Sequence, residues 1–128
     1  MTTRSLLFLL GPLCVLAGCS HDTIGPTAGI LKANLASPNS DDGAVLFTVS
    51  GGPVDSVVAG GHQVYSALLD ANSLRVVAVG DLGPGTLATI YIPDNRLASS
   101  YTATVNQVAA RVSYAQRDPA SYSLSLSP

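Results

Sequence analysis

The residues able to do chemistry are few. The 128-residue chain carries two histidines, His21 and His62, and two cysteines, Cys14 and Cys19. Every one of its 8 acidic residues is an aspartate. His62 follows Gly60-Gly61, where it could serve as a general base or a metal ligand. No cysteine and no second nearby histidine completes a transition-metal set around it, so a solvated loop histidine is the favoured reading. Asp41-Asp42 stand together in "SPNSDDG", and Asp81 and Asp94 fall in other turn-like stretches. Gathered at one end of a domain, such carboxylates could hold calcium, which takes about 6–8 oxygens. The stretch lacks the alternating aspartates of a calcium loop. Aspartate also enters turns for its own backbone hydrogen bonds, and this role outweighs the metal here.

The remaining motifs are weaker. No G-x-S-x-G elbow presents a nucleophilic serine. The glycines of "GDLGPG" and "VSGGPVD" join apolar runs of strand type and open no helix, so neither is a phosphate cradle. Five tyrosines, at 65, 91, 101, 114 and 122, are the main aromatic stock, and tryptophan is absent. On alternating strands they could stack on sugar rings, although amphipathic rings at sheet edges are commoner. The expectation is a chain without catalytic residues and without a cofactor. The competing expectation is a small metal-assisted envelope hydrolase built on His62 and the turn aspartates.

The N-terminus speaks more clearly. Arg4 precedes an apolar run from Leu6 to Leu16, which Gly11-Pro12 interrupts. The run is too short to cross about 30 Å of hydrocarbon as a helix. A positive start, a short apolar stretch and small residues at its end describe a secretory signal. The expected signal helix runs from about Ser5 to Ala17 and is not part of the native fold. Leu16-Ala17-Gly18-Cys19 then resembles the lipobox of bacterial lipoproteins. That resemblance implies cleavage between Gly18 and Cys19, a diacylglycerol on the Cys19 thiol, and acylation of the new amine. Two or more acyl chains, at about 0.8 kcal/mol per buried methylene, would hold the protein stably on a membrane. Cys14 would leave with the signal and Cys19 would be spent on lipid, so no disulfide within the chain is expected. Ser20 after the cysteine favours the outer membrane over the inner, by the sorting habits of that family.

Composition bounds the rest. Cleavage would leave residues 19–128, enough for one domain with its own core. Charge is sparse, at 11% of residues, and the formal net charge is −2, so no basic surface exists for nucleic acid. Lys32, Arg75, Arg96, Arg111 and Arg117 are scattered singly. Glutamate is absent and lysine occurs once, while valine, threonine and tyrosine recur between 12 glycines and 8 prolines. That balance favours strands joined by turns.

Alternation supports the same reading. Residues 20–28 form a polar spacer. Leu31, Ala33 and Leu35 then share one face of a first strand. "AVLFTVS" is apolar on both faces, with Val45, Phe47 and Val49 on one of them, which marks a central strand. Strands are further predicted in "VDSVVAGG", "HQVYSALLD", "SLRVVAVGD", "TLATIYIPD" and "YTATVNQVAA". "LASS" allows one helical turn. After Tyr101, Ala103 and Val105 the spacing of Val105, Val108, Ala109 and Val112 also fits a helix, although threonine and valine favour strand in the first half. "ASYSLSLSP" closes the chain as an edge-like strand with Tyr122, Leu124 and Leu126 inward.

About eight short strands at intervals of ~8–12 residues describe an all-β, antiparallel β-sandwich. "GAVLFTVSGGPVDSV", "VVAVGDLGPGTLATIYIPD" and "YSLSLS" resemble parts of cohesin-like or immunoglobulin-like sandwiches of small secreted bacterial proteins. The expected organisation is a signal peptide at 1–18, a lipidated cysteine and spacer at 19–28, and a sandwich at 29–128. The expected protein is exported and anchored at the cell envelope through Cys19. Its non-catalytic domain is expected to bind a protein or polysaccharide partner, or to build the surface.

Overall fold

The computed structural model describes residues 25–128. The expected signal helix, the expected cleavage point at Gly18, the expected lipid site at Cys19, and His21 lie outside the described residues.

Nine strands form two antiparallel sheets. They are β1 (Gly29–Ala36), β2 (Asp42–Ser50), β3 (Ser56–Ala59), β4 (Gln63–Asp70), β5 (Ser73–Leu82), β6 (Gly85–Ile92), β7 (Thr102–Ala110), β8 (Gln116–Arg117) and β9 (Ser123–Ser127). One sheet has the order β3-β6-β1-β9 and the other β4-β5-β2-β7-β8. The protein is therefore an all-β sandwich. Eight strands follow the predicted runs. The ninth, β8, is two residues long and offers no alternation to read. Two 3₁₀ turns, Asn95–Ser100 and Pro119–Ser121, are the only helical elements among the described residues, and neither is long enough to cross a membrane.

The core lies between the sheets and is filled from alternate positions. Leu31, Ala33 and Leu35 of β1 meet Val45, Phe47 and Val49 of β2, with Leu74, Val76 and Ala78 of β5 beside them. Ala88, Ile90 and Ile92 of β6 complete the layer, joined by Leu87, which also turns inward where the β1–β6 register shifts. Each fully buried large side chain of this kind contributes about 1.5–3 kcal/mol through removal from water. The strand read as central, β2, does sit in the middle of its sheet.

The ambiguous stretch of β7 has a specific cause. Leu46 pairs with Gln107 and Phe47 pairs with Val105, so Asn106 is an extra residue in the ladder. Such a bulge shifts which residues face inward by one position. Tyr101, Ala103 and Val105 point to the core before it, and Val108 and Ala110 after it. The three-residue step from Val105 to Val108 imitates a helical period while the backbone stays extended to Ala110. Asn106 is fastened across the sheet, where its Oδ1 accepts from Thr48 Oγ1 at 2.7 Å.

"GGP" after β2 serves a close approach. Gly51 has φ +112°, and a Cβ there would lie 2.0 Å from the Ser100 carbonyl oxygen. A Cβ on Gly52 would strike the Tyr101 ring at 2.6 Å. That ring is buried, and its hydroxyl donates to the Pro53 carbonyl at 2.5 Å. Burial pushes the Tyr101 phenol above its ordinary range.

Candidate functional site

The polar residues singled out from sequence go to separate places. His62 precedes β4, and its Nε2 donates to the Leu87 carbonyl of the opposite sheet. Its Cβ packs where Gly80 leaves room. Among the described residues no three histidine, cysteine or acidic side chains gather as a metal-binding group. His62 and two aspartates are thus not brought into one pocket.

Asp42 opens β2 and is fully buried, the only charged residue so placed among the described residues. Its Oδ1 accepts from Arg117 Nη1 at 2.6 Å and from the Tyr122 hydroxyl at 2.8 Å. Its Oδ2 accepts from Ser37 Oγ at 2.7 Å. Arg117 also reaches Asp41 at 2.8 Å, and Asn39 Nδ2 donates to the Tyr122 oxygen at 2.8 Å. Asp41 and Asp42 therefore differ in role although adjacent. Asp41 is exposed, and the hydrogen bond from Arg117 holds its carboxyl below the ordinary value. The same two aspartates raise the Arg117 guanidinium, with Asp41 contributing most. The Asp42 carboxylate ties β2 to β8 through Arg117 and to Tyr122, the residue just before β9. A buried charge is tolerable only when paired and hydrogen-bonded, and this one is both.

The other turn aspartates act on their own backbones. Asp94 caps the turn Asn95–Ser100, accepting from the Arg96 amide at 3.0 Å and from its guanidinium at 3.0 and 2.9 Å. The guanidinium bond is the main cause of a lowered Asp94 carboxyl. Asp70 accepts from the Asn72 amide at 2.8 Å, which likewise lowers its carboxyl. Asp118 caps Pro119–Ser121 through the Ala120 amide at 3.0 Å. Asp81 pairs with Arg111.

The tyrosines do not form a row. Tyr101 and Tyr122 are buried, whereas Tyr65, Tyr91 and Tyr114 are exposed on β4, on β6 and beyond the end of β7. Tyr114 is the only non-glycine residue with positive φ, +57°, among the described residues, and it is 79% exposed.

Both outer faces mix polar and apolar side chains, with Ile30, Val58 and Tyr91 exposed on the four-stranded sheet and Tyr65 and Val79 on the five-stranded one. On the four-stranded sheet, Thr89, Lys32 and Ser127 lie in register, and so do Asn34 and Ser125. Asn34 links neighbouring strands by donating to Ser127 Oγ at 3.0 Å and accepting from Thr86 Oγ1 at 2.7 Å. On the five-stranded sheet one transverse row runs Tyr65, Val77, Leu46, Gln107. The next runs Gln63, Val79, Ala44, Ala109, Gln116. Two adjoining shallow hollows of about 280 and 480 Å³ lie along this face. Their shared floor is Ala44 and Ala109, with Leu46, Val77 and Val79 beside it and Gln107, Gln116, Arg111 and Tyr114 at the rim. An apolar floor with a polar rim is the composition of a binding surface. The sequence marked β2 as apolar on both faces. The matching outward residues of β5 and β7 become one surface only once the strands are placed side by side.

No protein-family model, no curated protein and no solved structure matches this chain.

Proposed function

We propose that the protein is an exported lipoprotein, tethered to a bacterial envelope membrane by acyl chains on Cys19, with a non-catalytic sandwich that binds a protein or polysaccharide partner. The anchor rests on the match of Leu16-Ala17-Gly18-Cys19 to a lipobox at the end of a short apolar run. Ser20 favours the outer membrane in this reading, and the likeness to cohesin-like or immunoglobulin-like modules belongs to it. The observation that carries the binding role is the continuous apolar strip on the outer face of the five-stranded sheet, floored by Ala44, Leu46, Val77, Val79 and Ala109. Glutamine, arginine and tyrosine rim this strip, whereas on the four-stranded sheet the exposed Ile30, Val58 and Tyr91 share the face with Lys32 and the hydrogen bonds around Asn34. A sheet face left apolar toward solvent lowers its free energy by being covered.

Two substitutions test the reading separately. Cys19→Ser should release the full-length protein from the membrane fraction or block its maturation. Unchanged attachment, with the leader intact by mass spectrometry, would defeat the anchor. Val77→Glu places a charge in the strip without touching the core. Wild-type protein should retain a defined protein or glycan from envelope extract that the Val77→Glu protein does not. Equal retention by both would remove the strip from the binding role.

A further inference from the structure

The sandwich has four sheet edges, and three carry devices that discourage strand addition. β8 is two residues long, and β3 is four residues long and runs into Gly60-Gly61. β9 is five residues of alternating serine and leucine, closed by Pro128. Short strands and proline are common ways to blunt an edge. The fourth edge, β4, is eight residues long, contains no proline, lysine or arginine, and runs in unbroken register with β5 from Gln63 to Leu68, its one bulge lying at Leu69 near the end. No strand pairs with its outer side among the described residues. It also gathers Tyr65, Leu68 and Leu69, which are 58%, 68% and 50% exposed.

We propose that β4 is a dimerisation edge, where a second copy of this chain adds its own β4 in antiparallel register. The free backbone amides and carbonyls of an edge call for an extended strand, because only that geometry satisfies them in series. Self-pairing is favoured by the strand's own order of side chains. A two-fold axis through Ser66 sets Tyr65 opposite Ala67 of the second copy, and Val64 opposite Leu68. Each pair joins a larger side chain to a smaller one on the same face, as directly opposed residues require. The one charged residue of the strand, Asp70, stands at its end, away from the axis and from its symmetry mate. The result is a continuous ten-stranded sheet made from two five-stranded ones. The apolar strips of both copies then lie on one face, since a two-fold axis perpendicular to a sheet preserves its sides. The dimer does not depend on lipid at Cys19.

The test uses the full-length chain in isolated membranes, or in detergent if it is not membrane-bound. Ser66→Cys puts a thiol on the axis, close enough to its mate for a disulfide. Mild oxidation should give a covalent dimer of twice the chain mass, at about tenfold higher yield than Ser125→Cys on the other sheet, because pairing raises the effective thiol concentration. The unsubstituted chain reports any background from Cys14 and Cys19. Adding Leu68→Lys should cut the yield by about tenfold while the melting temperature holds, since a lysine on an exposed edge opposes pairing. Equal yields from Ser66→Cys and Ser125→Cys would overturn the proposal. So would a yield indifferent to Leu68→Lys, or an adduct whose mass shows a different protein on β4.

Discussion

Removal of the Asp42 carboxylate gives the sharpest test of how this sandwich is closed. Three side chains converge on it: the nearby Ser37 at 2.7 Å, and from far along the chain Arg117 at 2.6 Å and Tyr122 at 2.8 Å. Asp42→Ala deletes all three bonds and leaves the tyrosine hydroxyl with a lost acceptor inside the protein. Breaking a buried ion pair by removing one partner costs about 3–5 kcal/mol. Arg117 retains 22% exposure and a second partner in Asp41. The expected loss therefore sits near the lower limit, about 3 kcal/mol. For a domain of roughly this size, an unfolding entropy near 2.1 cal/mol/K per residue converts that into a fall of about 14 °C in melting temperature.

Asp42→Asn separates charge from hydrogen bonding. The amide oxygen can still accept from Tyr122 and Arg117. The new NH₂ can donate to Ser37 Oγ, whose own proton then goes to the Asn39 carbonyl at 2.8 Å. Only the charge on the acceptor is lost, so the expected cost is about 1–1.5 kcal/mol. Thermal and urea unfolding of the three proteins, followed by far-ultraviolet circular dichroism, gives both values. A melting temperature of Asp42→Ala within about 2 °C of wild type would refute the account of the lock, since even 1 kcal/mol should move it further. Equal losses for the two variants would refute the division between charge and hydrogen bonds.

Two further predictions concern pH and backbone. Asp41, Asp70 and Asp94 are all held below the ordinary carboxyl value of 3.8 by hydrogen bonds formed on folding. Depressed folded values mean that their stabilisation is complete above that pH and is lost as the pH falls through the lower folded values. The melting temperature should therefore hold from pH 7 to about 5 and drop below about 4; a curve flat down to pH 2.5 would contradict the pairings. Gly51→Ala should destabilise by more than about 1 kcal/mol, because it combines a positive φ with a clash against the Ser100 carbonyl. Gly60→Ala, with nothing within 4 Å of the added carbon, should be neutral or stabilising by about 0.4–1 kcal/mol. Chemical denaturation of both would expose any reversal of that order.

The sequence by itself determined the fold class and the facing of most strands. Strand period is local: a residue and its second neighbour share a face whatever the rest of the chain does. That is why Leu31, Ala33 and Leu35 could be grouped on one face from their spacing alone, the face that the structure turns inward. It is also why β7 read ambiguously, for its bulge at Asn106 is a property of pairing with β2, and no partner is visible in a single strand. The lipobox reading at Cys19 is likewise written in contiguous residues.

Only the tertiary structure decided the fate of the polar residues. Asp41 and Asp42 look alike in sequence, yet one faces water and the other is sealed by Arg117 and Tyr122, 75 and 80 residues further on. The apolar strip had the same origin: Leu46, Val77 and Ala109 belong to three strands that adjoin only after the sheet forms. The long free edge of β4 depends on strand order as well. Burial, pairing and surface continuity are set by what lies across a sheet or between sheets, at separations that local periodicity does not encode.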